Sequence, residues 1–112
     1  MISLIRFEEF GPGLGFPSMK SSFCDLPYKG QTIIASYLKM GKKTYSSPGY
    51  AVDVFTGETI PGEKCGMTDG EYTWNSALPY YVEKYNLRLP SVFEEKVLGK
   101  KNIGRPSITA LA

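Results

Sequence analysis

The stretch from residue 67 to residue 97 constrains the fold most, because it combines a hairpin signal with two helix starts. Asp69-Gly70 lies between two short runs of mixed polarity, and this dipeptide favours a two-residue hairpin turn in which both central residues have positive φ. In the strand that follows, Tyr72 and Trp74 fall on one face. The pattern therefore predicts two antiparallel strands joined by a tight turn.

Two helices are predicted after this hairpin. The first is capped by Asn75 or Ser76, buries one apolar stripe and ends at Asn86 in the left-handed conformation. The second begins within residues 89–91, where Pro90 suits a first-turn position. The apolar stripe of the first helix consists of Leu78, Tyr81, Val82 and Tyr85.

The N-terminal part of the chain is less regular. Residues 2–7 predict a strand near a sheet edge, and a long irregular stretch, 8–30, follows it. Its glycine-rich segment, 11–17, is not a phosphate-binding loop, because Pro12 and Pro17 stand where the required helix would begin. We expect the stretch either to bind a partner or to pack on its own aromatic residues.

The middle of the chain predicts one helix and two strands. Residues 31–40 have helical periodicity, and Gly41 is expected to end that helix in the left-handed conformation. Residues 44–60 predict two strands turning at Thr56-Gly57, with positions 50, 52 and 54 on one face and 51, 53 and 55 on the other. Residues 64–68 complete the incoming arm of the later hairpin.

These elements predict a single α+β domain spanning residues 1–112. We expect an antiparallel sheet of about five strands in a meander, with about three α-helices packed on one face. Residues 100–112 lack periodicity and are expected to form a loose tail. No apolar run approaches the roughly 18 residues that a membrane-spanning helix needs, so we expect no membrane partner and a cytoplasmic location.

Several kinds of chemistry are excluded by composition. The chain has no histidine, which removes Ser-His-Asp and Cys-His catalysis and the commonest metal ligand. Its two cysteines, Cys24 and Cys65, are interpreted as reduced apolar residues, because two cysteines do not make a disulfide scaffold. They also cannot form a four-ligand zinc site alone. We therefore expect no cofactor, no metal and no catalytic residue.

Two sets of residues remain as candidate contacts for a partner. The first is a group of carboxylates on or near the predicted turns, which could form a local acidic edge: Asp53, Glu58, Glu63, Asp69 and Glu71. The second is aromatic, because Tyr and Trp dominate protein–protein hot spots: Tyr72, Trp74 and Tyr80. A carboxylate pair holding Mg²⁺, or acting as general acid and base, is an alternative role for the acidic set.

The pattern resembles small bacterial immunity proteins encoded beside polymorphic or contact-dependent growth-inhibition toxins. The resemblance covers residues 30–98. It rests on Ile34-x-x-Tyr37-Leu38-x-x-Gly41, Asp53-x-x-Thr56-Gly57-Glu58, Thr68-Asp69-Gly70-Glu71-Tyr72-x-Trp74, Leu78-x-Tyr80-Tyr81-Val82-Glu83-Lys84-Tyr85 and Leu89-Pro90-x-x-Phe93.

The resemblance implies a monomer that binds the C-terminal domain of its cognate toxin, often a nuclease, in a 1:1 complex and blocks its active site or an essential surface. A net charge of +2 departs from the acidic character that suits a basic nuclease. The alternative is a small nucleic-acid-binding or regulatory protein using two lysine-rich clusters, around residues 39–43 and 96–105, although the small net charge does not favour nucleic acid.

Overall fold

The computed structural model describes residues 2–103. Within them the chain has an α+β fold with one sheet of four strands and three α-helices, which confirms the predicted class and the number of helices. The strands are β1 (Ile2–Ser3), β2 (Lys42–Ser46), β3 (Cys65–Thr68) and β4 (Tyr72–Asn75). The helices are α1 (Gln31–Lys39), α2 (Leu78–Tyr85) and α3 (Ser91–Ile103).

The sheet is mixed, with the strand order β1-β4-β3-β2, and it is not the predicted antiparallel meander. β1 runs parallel to β4, with Ile2 paired to Tyr72, whereas the other two pairs are antiparallel. Parallel neighbours cannot be joined by a tight turn, and here residues 4–71 connect β1 to β4. The local turn signals of the sequence carry no information about such a distant pairing.

Of the two strands predicted in residues 44–60, the return around Thr56-Gly57 is present only as a short antiparallel pairing, in which Asp53 donates to Glu58 and Ile60 donates to Ala51 through their backbones. Residues 42–46 form β2, whereas residues 47–62 form a loop with a single bridge between Val52 and Thr59. Asp53 explains the difference, because its Oδ1 accepts hydrogen bonds from the backbone N–H groups of Phe55 and Thr56. Those bonds turn the chain where a strand ladder would need the same donors.

The hairpin between β3 and β4 is present with a two-residue turn, but Asp69 pairs with Tyr72, so the central residues are Gly70 and Glu71, one position later than predicted. Gly70 has a φ of 98°, whereas Asp69 does not have positive φ. Oδ1 of Asp69 accepts the backbone N–H groups of Glu71 at 2.9 Å and Tyr72 at 2.7 Å. The aspartate side chain thereby stabilises the turn through its own hydrogen bonds.

Gly41 ends α1, although not by the left-handed conformation that we expected. Its φ is not positive, and a Cβ at this position would lie 2.6 Å from Cζ2 of Trp74. The indole also donates from Nε1 to the carbonyl of Leu38 at 3.2 Å. Glycine is therefore required by the close approach of the indole ring.

The helix α2 follows the predicted pattern. Leu78, Tyr81 and Val82 are buried, and Asn86 follows the helix with a φ of 56°. The predicted cap is wrong, because Ala77 occupies the cap position without a side-chain hydrogen bond. The hydroxyl of Ser76 instead accepts the backbone N–H of Cys65, and so links α2 to β3.

The third helix is longer than predicted. α3 continues to Ile103, so residues 100–103, which we expected in a loose tail, are helical. The rest of the predicted tail, residues 104–112, lies outside the described residues.

The long segment between β1 and α1 packs partly on its own aromatic residues, as one of the two expectations proposed. The Phe23 ring stacks on Tyr85 of α2 with centroids 4.7 Å apart, and Met19 is fully buried. Leu14 and Leu26 remain exposed. The segment therefore closes the core beside α2.

Candidate protein-interaction surface

The 47–62 loop is fixed to α2 by a buried aspartate. The side chain of Asp53 is inaccessible to solvent, and its Oδ2 accepts hydrogen bonds from the hydroxyls of Tyr85 at 2.6 Å and Tyr80 at 2.8 Å. Because Oδ1 accepts two backbone N–H groups of the loop, both carboxylate oxygens are satisfied. A carboxylate is stable at such a depth only with this kind of compensation.

The electrostatics of this aspartate follow from its surroundings. Burial by itself raises the pKa of Asp53, but the hydrogen bonds from Tyr85, from the backbone of Phe55 and from Tyr80, together with the Lys84 ammonium at 3.6 Å, outweigh it. The result is a pKa lowered to about 2. Burial and the bond to Asp53 raise the pKa of Tyr85 to about 12. Asp53 is therefore ionised, and Tyr85 is neutral, at neutral pH.

Further contacts hold the same loop against the core. The ring of Phe55 makes edge contacts with Tyr81 and Tyr85, and Ile60 is only 4% exposed. The hydroxyl of Tyr81 accepts the backbone N–H of Val54 at 3.0 Å. The loop is thus anchored through side chain and backbone alike.

The opposite face of the loop is apolar and exposed. Tyr50, Val52 and Val54 have exposed fractions of 66, 51 and 45%, and Tyr45 of β2 has 59%. These four side chains line one groove, together with Phe10 and residues of β3 and β4, and we call this area the apolar groove. Its volume is about 300 Å³. Contiguous exposed apolar surface of this kind is typical of interaction sites.

Four polar side chains also line the apolar groove: Ser47, Lys64, Asn75 and Ser76. Lys64 is exposed and makes no ion pair with any residue that the structure describes. The side-chain oxygen of Asn75 is buried and has no hydrogen-bond donor among residues 2–103. No carboxylate belongs to the lining of this groove.

The acidic edge expected from the sequence is paired with lysines. Glu58 faces Lys84 at 3.0 Å, and Glu63 faces Lys43. Glu71 lies 2.7 Å from Lys96, which also faces Asp69 at 2.9 Å. Each of these carboxylates has a lysine neighbour, but Lys84 and Lys96 are each shared by two carboxylates, so the negative charge of the set is only partly offset.

Asp69 has a second role beside the hairpin turn. Its Oδ2 accepts the hydroxyl of Tyr37 at 2.6 Å and the Lys96 ammonium, and so joins β4, α1 and α3. Burial by itself raises the pKa of this carboxyl, but the bonds from Tyr37, the backbone and Lys96 hold the pKa well below its ordinary value. Both buried aspartates therefore stabilise the fold.

The predicted aromatic contacts are mostly internal. Tyr72 and Trp74 are 4 and 2% exposed and pack against Phe93 of α3. Tyr80 is half-buried, with its hydroxyl on Asp53. Of the predicted contact residues, Glu58, Glu63 and Glu71 are exposed.

Sequence reasoning missed the apolar groove, although its signal was present. The alternation of Tyr50, Val52 and Val54 was recognised and interpreted as a strand face. An aspartate at an inward position, with two tyrosines five residues apart on a later helix, was the available sign that the segment is a loop anchored by a carboxylate.

The comparisons with known proteins leave the family open. No family model, no curated protein and no solved structure matches this chain. Within residues 2–103 no helix combines the length and hydropathy that crossing a bilayer demands. The same residues bring no three histidine, cysteine, aspartate or glutamate side chains together at a potential metal site.

Proposed function

We propose that this protein is a cytoplasmic immunity protein that neutralises a cognate bacterial toxin domain through direct 1:1 binding. The observation that supports binding most is the apolar groove on the anchored loop. The choice of a toxin domain as the partner rests on the resemblance of the sequence to small bacterial immunity proteins. We propose no catalytic step for the chain.

A fixed apolar loop is well suited to tight binding. Tyr and Trp side chains contribute most of the binding free energy at many interfaces, and Tyr45 and Tyr50 are exposed beside the two valines. Because Asp53 and Phe55 hold the loop from behind, little conformational entropy has to be lost when a partner binds. Preorganisation of this kind raises affinity without additional contacts.

The structure alters which of the predicted residues we propose as contacts for the partner. Glu58, Glu63 and Glu71 remain candidates for a polar rim, because their side chains reach solvent. Asp53, Asp69, Tyr72 and Trp74 are better explained as stabilising the fold, since a partner could touch them only after rearrangement. Tyr80 has a partly exposed ring and a structural hydroxyl.

Nucleic-acid binding is the second candidate, and no contact in the structure favours it over protein binding. In the first lysine cluster, Lys39 pairs with Glu83 and Lys43 with Glu63, which leaves Lys42 exposed between them. Binding of this kind would weaken steeply with added salt.

The direct test is co-expression with the C-terminal domain of the protein encoded immediately upstream in the native genome. We expect growth to be rescued, and a stoichiometric 1:1 complex to elute in size-exclusion chromatography. A co-expressed domain that stays toxic and elutes alone would refute the proposed partner. Recovery of nucleic acid that salt removes would favour the second candidate.

The contact surface is tested separately with Val52→Asp. A charge in the groove should weaken the complex by about tenfold or more, because a buried apolar contact is replaced by a desolvated carboxylate. Val92→Asp is the matched control, since Val92 is also exposed but lies on α3, outside the groove. Equal loss of affinity in both variants would place the contact surface elsewhere.

A further inference from the structure

The apolar groove combines three features that define the chemistry of an occupant. Its walls are mainly apolar side chains, among them Tyr45 of β2 and those of the 47–62 loop, Lys64 belongs to its lining, and Asn75 contributes an unsatisfied acceptor. A volume of about 300 Å³ suits one or two side chains and is small for a whole organic cofactor. The dimensions therefore favour a peptide segment.

The unsatisfied oxygen of Asn75 indicates a hydrogen-bond donor. Buried acceptors without a partner are rare in folded proteins, because they lose their bonds to water and gain nothing in exchange. Asn75 lines the groove, and the terminal torsion of an asparagine side chain is soft, so its amide can rotate to meet an occupant. A backbone N–H of an extended segment is the donor that every peptide carries.

The charge of the groove indicates an acidic occupant. Lys64 lines the groove, is exposed and lacks an ionic partner among residues 2–103. The lining of the groove thus contains one cationic side chain and no carboxylate. A carboxylate of the partner would complement it.

We propose that the apolar groove binds an extended acidic segment of the partner protein, in which one aromatic or aliphatic side chain is flanked by Asp or Glu. The apolar side chain packs between Tyr50 and Val52, a flanking carboxylate pairs with Lys64, and a backbone N–H donates to Asn75. This proposal rests on the proposed function and names the recognition element of the toxin domain.

Defined peptides test the proposal without the toxin. We would titrate the ¹⁵N-labelled full chain with acetyl-Gly-Asp-Phe-Asp-Gly-amide and with acetyl-Gly-Lys-Phe-Lys-Gly-amide, and follow the backbone signals and the Asn75 side-chain amide. The acidic peptide is expected to shift signals of the 47–62 loop, Lys64 and Asn75. The lysine peptide should bind more weakly. Equal response to both peptides, or no response in the groove, overturns the proposal.

Charge reversal provides the matched control. Lys64→Glu should weaken the acidic peptide by about two- to fivefold, the effect of one partly exposed ion pair, and should improve binding of the lysine peptide. Lys29→Glu makes the same change at an exposed lysine outside the groove and should leave both titrations unchanged. A dilution series without peptide is the third arm: signals of the groove that move with protein concentration would show that a second copy occupies it.

The two proposals fail in different ways. If the toxin domain forms a 1:1 complex that Lys64→Glu and Val52→Asp do not weaken, the function stands and the groove is not the recognition element. If the acidic peptide binds in the groove but co-expression neither rescues growth nor yields a complex, the groove chemistry stands and the toxin partner is refuted.

Discussion

Replacing Asp53 with asparagine removes the charge that holds the 47–62 loop to α2, and keeps the shape of the side chain. The amide oxygen can still accept the two backbone N–H groups, but the amide nitrogen replaces the acceptor that faces Tyr80 and Tyr85. We expect a folded protein with lower stability. The loop that carries the apolar groove should loosen with it.

The size of the stability loss follows from the lowered pKa of Asp53. A shift from 3.8 to about 2 corresponds to about 2 kcal/mol of stabilisation at neutral pH, at about 1.4 kcal/mol per pKa unit. Because the folded-state pKa is the lower one, this contribution is complete above the unfolded value and disappears as the pH falls through the folded value. The stability difference between the wild type and Asp53→Asn should therefore decrease from about 2 kcal/mol at pH 7 to about 1 kcal/mol at pH 3.

The assay is urea unfolding followed by the fluorescence of Trp74, which is buried in the folded state. Asp25→Asn is the matched control, since Asp25 is exposed, and its stability should stay within about 0.5 kcal/mol of the wild type. A stability difference for Asp53→Asn that is absent at pH 7, or that is the same at pH 7 and pH 3, would refute this explanation of the buried carboxylate.

Three further predictions concern other parts of the fold. Gly41→Ala should lower the free energy of unfolding by about 1–3 kcal/mol, because the added methyl group meets Trp74. In the same urea titration Gly99→Ala on α3 is the control, and it should be neutral or stabilising because the added methyl group meets no atom. Lys96→Met should cost about 1–3 kcal/mol at pH 7 by leaving Asp69 without its cation, and the cost should shrink at acidic pH as that carboxyl protonates; a constant cost would contradict the ion pair. Titration with a thiol reagent should modify the partly exposed Cys24 first and Cys65 only after unfolding, and two equally fast thiols would contradict the burial of Cys65.

Local signals predicted the helices better than the sheet. The stripe of α2 and its end at Asn86 follow from spacing and from the tolerance of asparagine for the left-handed conformation, both of which are properties of a few adjacent residues. The parallel pairing of β1 depends on contacts with residues about seventy positions later, and no short pattern encodes it. Interactions among neighbouring residues are therefore sufficient to predict α2 and insufficient to predict the pairing of β1.

At the candidate site, too, local patterns predicted some features, whereas features that depend on distant residues were missed. The two-residue period predicted for residues 50–55 placed positions 50, 52 and 54 on one face and 51, 53 and 55 on the other, as the structure does, but it could not distinguish a strand from a loop. The deciding interactions are those of Asp53 with Tyr80 and Tyr85, which lie about thirty residues away. The carboxylates were visible in the sequence as an acidic set, whereas the lysines that offset them are neighbours only in three dimensions.

The parallel pairing of β1 also determines when the sheet can be completed during synthesis. The backbone N–H groups of Ile2 and Leu4 donate to carbonyls of Glu71 and Thr73, which leave the ribosome several seconds later at ordinary rates of translation. Until then β1 has no partner in the sheet, while α1 can already form. β1 is thus expected to dock late, after the β3–β4 hairpin exists, and the Leu4 side chain, which is buried in the folded protein, stays exposed until that hairpin has formed.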